Sequence, residues 1–211
     1  MSDAEAGLIP GQISSIITVI DTISKVYSDV KDPENIPLSF QDTARRLPLI
    51  HNTLGVINTH IIGHSPDEES YKEITSVVSK CKDKAFRLEI MFRKVVPQTN
   101  TPRLERYGLA VRVFGEGNRV EALTKGILED IKLLAGNQAV KAATEVEVGK
   151  LDKAIEELAA MRPSLPGGTP KNSVNNYGPG TQNANTGDGT QNNNTGPGKL
   201  FVGEKQYFGE D

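Results

Sequence analysis

Apolar residues recur at steps of three and four along the chain as far as Arg162, and beyond that residue the rhythm stops. Ile13, Ile16, Ile17, Ile20, Ile23 and Tyr27 fall on one helical face, with Ser14, Ser15, Thr18, Asp21, Thr22 and Lys25 largely opposite, which predicts a first helix over about 12–28. Asp32, Pro33 and Pro37 end it. Phe40, Ala44, Leu47, Ile50, Leu54, Ile57 and Ile61 resume the alternation. Pro48 interrupts that series and predicts a kink or two short helices, because proline removes an interior N–H donor. The next series, Tyr71, Ile74, Val78, Cys81, Ala85, Leu88, Phe92 and Val95, alternates strictly and demands one long helix packed along its whole length. Ser65 and Pro66 suit its N-cap and first turn, and Asp67, Glu68 and Glu69 suit the positive end of its dipole.

Pro97 and Pro102 close that helix. Residues 103–114 predict a shorter one that stops at Gly115 and Gly117. Asn118 and Glu121 have capping-box spacing and predict the start of a further helix, with Val120, Leu123, Ile127, Ile131 and Leu134 as its buried stripe and Gly136 as its stop. A final helix carries Val148, Leu151, Ile155 and Leu158. Strand signals are absent up to Arg162, so the fold class is all-α, a bundle of about five or six helices.

Composition narrows the function. The 211 residues are 36% hydrophobic and 24% charged with a formal net charge of −3, which suits one sizeable domain and removes the electrostatic footprint of a nucleic-acid partner. The single cysteine excludes an intramolecular disulfide framework and a multi-cysteine zinc site. No run approaches the roughly 20 apolar residues of a membrane span. The most apolar early stretch holds Pro10, Gly11, Ser14, Ser15 and Thr18, and Asp3 and Glu5 precede it where a secretory leader has basic residues. These features predict a cytoplasmic resting location.

Candidate chemistry is sparse. His60 and His64 stand at i and i+4, a metal-binding spacing, but Gly63 and Pro66 mark the end of the helix there, and a capped or solvated pair is the expectation. Cys81 lies on an apolar stripe and reads as a small hydrophobe. Gly115 and Gly117 lack the third glycine and preceding strand of a dinucleotide fingerprint, and Gly198 with Lys199 lacks the flanking residues of a phosphate loop. Arg45, Arg46, Arg103, Arg106 and Arg112 are interleaved with carboxylates and predict salt bridges more than a basic surface. No catalytic residue, metal or cofactor is expected, and the chain reads as a non-enzyme.

The part after Arg162 has different physics. A Pro/Gly linker over 163–172 leads into a tract over 173–208 that contains the same octapeptide twice, nine residues apart. Gly180, Thr181, Gln182, Asn183, Ala184, Asn185, Thr186 and Gly187 match Gly189, Thr190, Gln191, Asn192, Asn193, Asn194, Thr195 and Gly196, with Ala184 against Asn193 as the one difference. Position-by-position identity argues for a structural unit. Its amides suit the Asn/Gln ladders of a cross-β stack, and Asp188 is the one charge between Lys171 and Lys199. Ordering costs ~1–2 kcal/mol per residue, and stacked repeats generally need about three neighbours. A single chain is therefore expected to keep a disordered tail that becomes a β-solenoid amyloid only when a template supplies the missing layers.

With both regions in view, the chain resembles a fungal death-pathway effector of the SesA type. The tail resembles the sigma amyloid motif through NNYGPGTQN at 175–183 and GTQNNNTG at 189–196. Residues 7 to about 135 resemble the SesA domain, a HeLo-like relative of the HET-S toxin domain, through IITVID at 16–21, LPLI at 47–50 and RYGLA at 106–110. The resemblance implies a mechanism: a cognate NOD-like receptor of the NACHT/STAND kind presents a matching motif and templates the tail, further copies of the chain join as a fibril, and the clustered helical domains act on membrane lipid. It also implies that the first helix, with Ile13, Ile16, Ile17, Ile20 and Ile23, is the membrane-active part, packed in the core at rest and delivered to the plasma membrane on activation. The alternative is an amyloid signalling adaptor or regulator without membrane activity.

Overall fold

The computed structural model describes residues 7–165, which form six α-helices and two single 3₁₀ turns with no strand among them. The helices are α1 (Leu8–Ser28), α2 (Leu38–Gly63), α3 (Glu68–Val95), α4 (Arg103–Phe114), α5 (Val120–Gly136) and α6 (Lys141–Ala160). The fold is an all-α, HeLo-like bundle. Four helices close a ring in which α1 packs on α3, α3 on α5, α5 on α2 and α2 on α1. α6 lies against α2 and α5, and α4 against α3.

The expected stripes are the core. Ile74, Val78, Cys81, Ala85, Leu88, Phe92 and Val95 of α3 are all buried, as are Val120, Leu123, Ile127, Ile131 and Leu134 of α5. Each aliphatic side chain so placed contributes about 1.5–3 kcal/mol of burial. The strict alternation along α3 follows from its central place, since it meets three other helices along its length.

Local departures have local causes. α2 is one continuous helix through Pro48 and not two short ones. Pro48 is exposed, where water substitutes for the lost donor, and Leu47 and Ile50 on either side are buried, which holds both turns in the core. The cap of α3 is Asp67, not Ser65: its carboxylate accepts from the Ser70 amide at 2.8 Å. That bond holds the Asp67 carboxyl below the usual carboxylate range. Asn118 does not cap α5 through a box. It sits in the turn over 116–118, where its amide donates to the Phe114 carbonyl and its oxygen accepts from Arg87. Gly115 is the single residue described with positive φ, at 90°, and reverses the chain between α4 and α5 as a glycine can without strain. α5 ends at Gly136 without a left-handed glycine, because the Asn137 amide closes the last turn onto the Leu134 carbonyl. α6 begins at Lys141, a full two turns before the first residue of its apolar stripe.

Two polar ties cross the core. Lys84 of α3 reaches Asp130 of α5 at 2.6 Å, and its stem runs over Gly126, where a Cβ would lie 3.1 Å from the Lys84 Cδ. Thr43 of α2 and Thr124 of α5 meet hydroxyl to hydroxyl at 2.8 Å, both fully buried. Thr124 donates its proton to the Val120 carbonyl at 2.7 Å, so it accepts from Thr43. Thr43→Val leaves the Thr124 donation intact and removes one net hydrogen bond, with an expected loss of about 1 kcal/mol in urea denaturation.

Candidate functional site

The first helix was expected to pack in the core at rest through Ile13, Ile16, Ile17, Ile20 and Ile23, and these side chains do face inward: Ile13, Ile16, Ile20 and Ile23 are completely buried, and Ile17 is half-buried against the same core. Ile9 and Val19, absent from the expected set, join them. The face is filled by α2 and α3. Among the described residues no helix is long and apolar enough to cross a membrane. Pro10, Gly11, Ser14, Ser15, Thr18 and Asp21 within α1 explain why this helix in particular falls short. The reading of the chain as a membrane-permeabilising effector that moves to the plasma membrane through this helix is corrected on the second of these findings, that no described helix can cross a bilayer. The adaptor or regulator reading fits the structure better.

The remaining candidates also resolve into packing. His60 and His64 stack with ring centroids 4.5 Å apart, and the His64 amide closes the end of α2 onto the His60 carbonyl at 2.9 Å. No group of three or more metal-binding side chains occurs among the described residues. The Cys81 thiol is fully buried, and burial, reinforced by the Asp130 charge, pushes its pKa up to about 12, which leaves no thiolate for attack. The arginines do not gather into one surface. Arg45 pairs with Asp42, and Arg46 reaches Glu157 on α6 at 2.9 Å. Arg103 holds Asp32 by two bonds of 2.7 Å and keeps that carboxyl below its ordinary range. Arg106 donates to the carbonyls of Lys94, Pro97 and Thr101, tying the turn between α3 and α4. Its pKa is lowered by burial and by neighbouring Arg103.

The most organised polar cluster was not expected. Tyr107 of α4 is fully buried, and its hydroxyl accepts from the Val120 amide at 3.0 Å at the start of α5. Its oxygen lies 2.8 Å from Ser164 Oγ and 3.2 Å from Glu121 Oε2. Ser164 donates to Glu121 twice, from its amide at 2.9 Å and from its hydroxyl at 2.7 Å. An ionised carboxylate only accepts, so Glu121 is where the donations of the cluster end: it takes those of Ser164 and, at 3.2 Å, that of the Tyr107 hydroxyl. Burial is the main cause that raises the Tyr107 pKa to about 12, which keeps the phenol a donor. Tyr107 lay within the quoted RYGLA motif and Glu121 within the capping pair, but nothing in their spacing pointed to a serine more than 40 positions away.

Gly198, Lys199 and the whole paired octapeptide, from Gly180 to Gly196, lie outside the described residues.

Comparison with known proteins gives two matches. Residues 13–134 match the SesA model, an N-terminal domain on NACHT NTPases and P-loop NTPases. Residues 171–209 match the NACHT sigma model, a sigma domain on NACHT NTPases. No curated protein and no solved structure matches the chain. The first match runs from within α1 almost to the end of α5, and so includes the ring of four helices and α4 but not α6 or Ser164.

Proposed function

Since the chain belongs to the SesA family, we propose that it is an adaptor or regulator in amyloid signalling, with a helical domain over 1–162 as cargo, a linker over 163–172, and a receiving segment over 173–208. It is not an enzyme. The observation that supports this most is the pairing, on one chain, of two segments that both occur on NACHT NTPases, one in the helical part and one in the repeat. A receptor of that kind with a matching sigma segment is the partner: it supplies the layers that two repeats lack. Copies of the chain then act as templates for one another, so self-association follows the receptor contact in a prion-like manner. The helical domain has spent its isoleucine face on its own core, and it signals by being gathered at high local concentration. A fungal cell-death response, of the kind used in heterokaryon incompatibility and innate immunity, is the setting this device suits.

Seeding tests the reading. Fibres of the sigma segment of a NACHT NTPase, added to the full chain, are expected to abolish the lag of assembly and to give the ~4.7–4.8 Å cross-β reflection, with the helical circular dichroism of the domain retained. A chain in which 173–208 is scrambled keeps its composition and loses the nine-residue identity, and it is expected to ignore the seeds. Equal growth of the scrambled chain would overturn the proposal.

A further inference from the structure

The chain leaves α6 after Ala160 and returns to the start of α5. Met161 and Leu165 are half-buried against the core, while Arg162 and Pro163 between them are exposed. Within 161–165, Ser164 alone is hydrogen-bonded to another helix among the described residues, through its two donations to Glu121 and its contact with Tyr107. The helices beneath it are held differently, by continuous buried apolar stripes.

We propose that residues 161–165 are a releasable strap, held shut by Glu121 and Tyr107 and opened by negative charge at position 164 while the six helices stay folded. The geometry makes the serine specific. Its amide and its hydroxyl both point donors at one carboxylate, so an anion in place of the hydroxyl would stand against the Glu121 oxygens at hydrogen-bonding distance. Little else resists opening. A segment with two half-buried apolar side chains and one polar anchor belongs to the low-stability end of a fold, where local opening precedes global unfolding. Opening changes reach. It releases residues 161–165, five residues with roughly 17 Å of extended length. The strap is a property of the single folded chain, so it stands or falls apart from the function proposed above.

Hydrogen exchange on the full chain tests it. Ser164→Glu is expected to speed exchange of the amide at 164 by about tenfold to a hundredfold, the loss that follows removal of a hydrogen bond to a charged acceptor. Interior amides of α3 and α5 are expected to keep their wild-type rates. Combining Ser164→Glu with Glu121→Gln is expected to restore part of the protection, because the new amide donates to the new carboxylate. Wild-type exchange at 164 in Ser164→Glu would show that no strap is held by charge. Equal acceleration in α3 and α5 would show that the segment opens only with the whole domain. An absence of rescue in the double variant would show that repulsion is not the cause.

Discussion

Phe40→Ala is expected to destabilise the helical domain by about 3–5 kcal/mol, the range for removing a buried aromatic ring. Phe40 is fully buried, and its ring centroid lies 5.0 Å from that of Phe92 on α3 and 5.0 Å from that of Tyr107 on α4, the second in an edge-on arrangement of 80°. Three helices therefore meet on one side chain. α4 depends on this point more than the others do, since its principal packing partner is α3 alone. Total stabilities of domains run about 5–15 kcal/mol, so the variant is expected to lose a large share of its margin and to show a lower urea midpoint. Phe86→Ala, at a ring that is 39% exposed on the outer side of α3, is the matched control. It is expected to stay within about 0.5 kcal/mol of the wild type. Equal midpoints for the two variants would show that the aromatic cluster does not organise α4.

The second large effect concerns the repeat. If Gln182 and Gln191 occupy equivalent positions in adjacent layers, replacing both with lysine sets like charges about 4.7–4.8 Å apart at every layer boundary of a fibre. Each adjacent pair then costs between about 1 and 3.5 kcal/mol, depending on whether the effective dielectric is nearer that of water or that of a protein surface. Because the cost recurs with each added chain, seeded growth is expected to fall at least a hundredfold at low salt and to recover partly near 1 M salt, where screening shortens to about 3 Å. The melting of the helical domain should not change. Growth of the doubly charged chain at the wild-type rate would show that the two copies do not stack in equivalent positions.

How much the sequence revealed depended on how far apart the interacting residues lie. Stripes such as Ile74 to Val95 were legible because a helix repeats every few residues, and burial on one face leaves that period in the chain. The joint at Gly115 was legible for a similar reason, since one residue type suits the conformation. Pro48 left a break into two helices open because its penalty is local, while what keeps the helix continuous, burial of Leu47 and Ile50, is tertiary. The cap at Asp67 was misplaced among several adjacent polar residues, any of which has an oxygen at the right reach. The Tyr107, Glu121 and Ser164 cluster and the Thr43 to Thr124 pair join residues far apart in the chain, and no periodicity marks them. The membrane activity read for the first helix failed for another reason: an apolar face has one appearance whether it meets lipid or protein, and among the described residues no helix is long and apolar enough to cross a bilayer.

The buried thiol of Cys81 gives the molecule a clock of its own. Its sulfur is sealed from solvent at the middle of the central helix, and no other cysteine exists to confuse the signal. Any alkylating reagent must wait for that region to part, so the pace of its reaction counts the excursions of the interior.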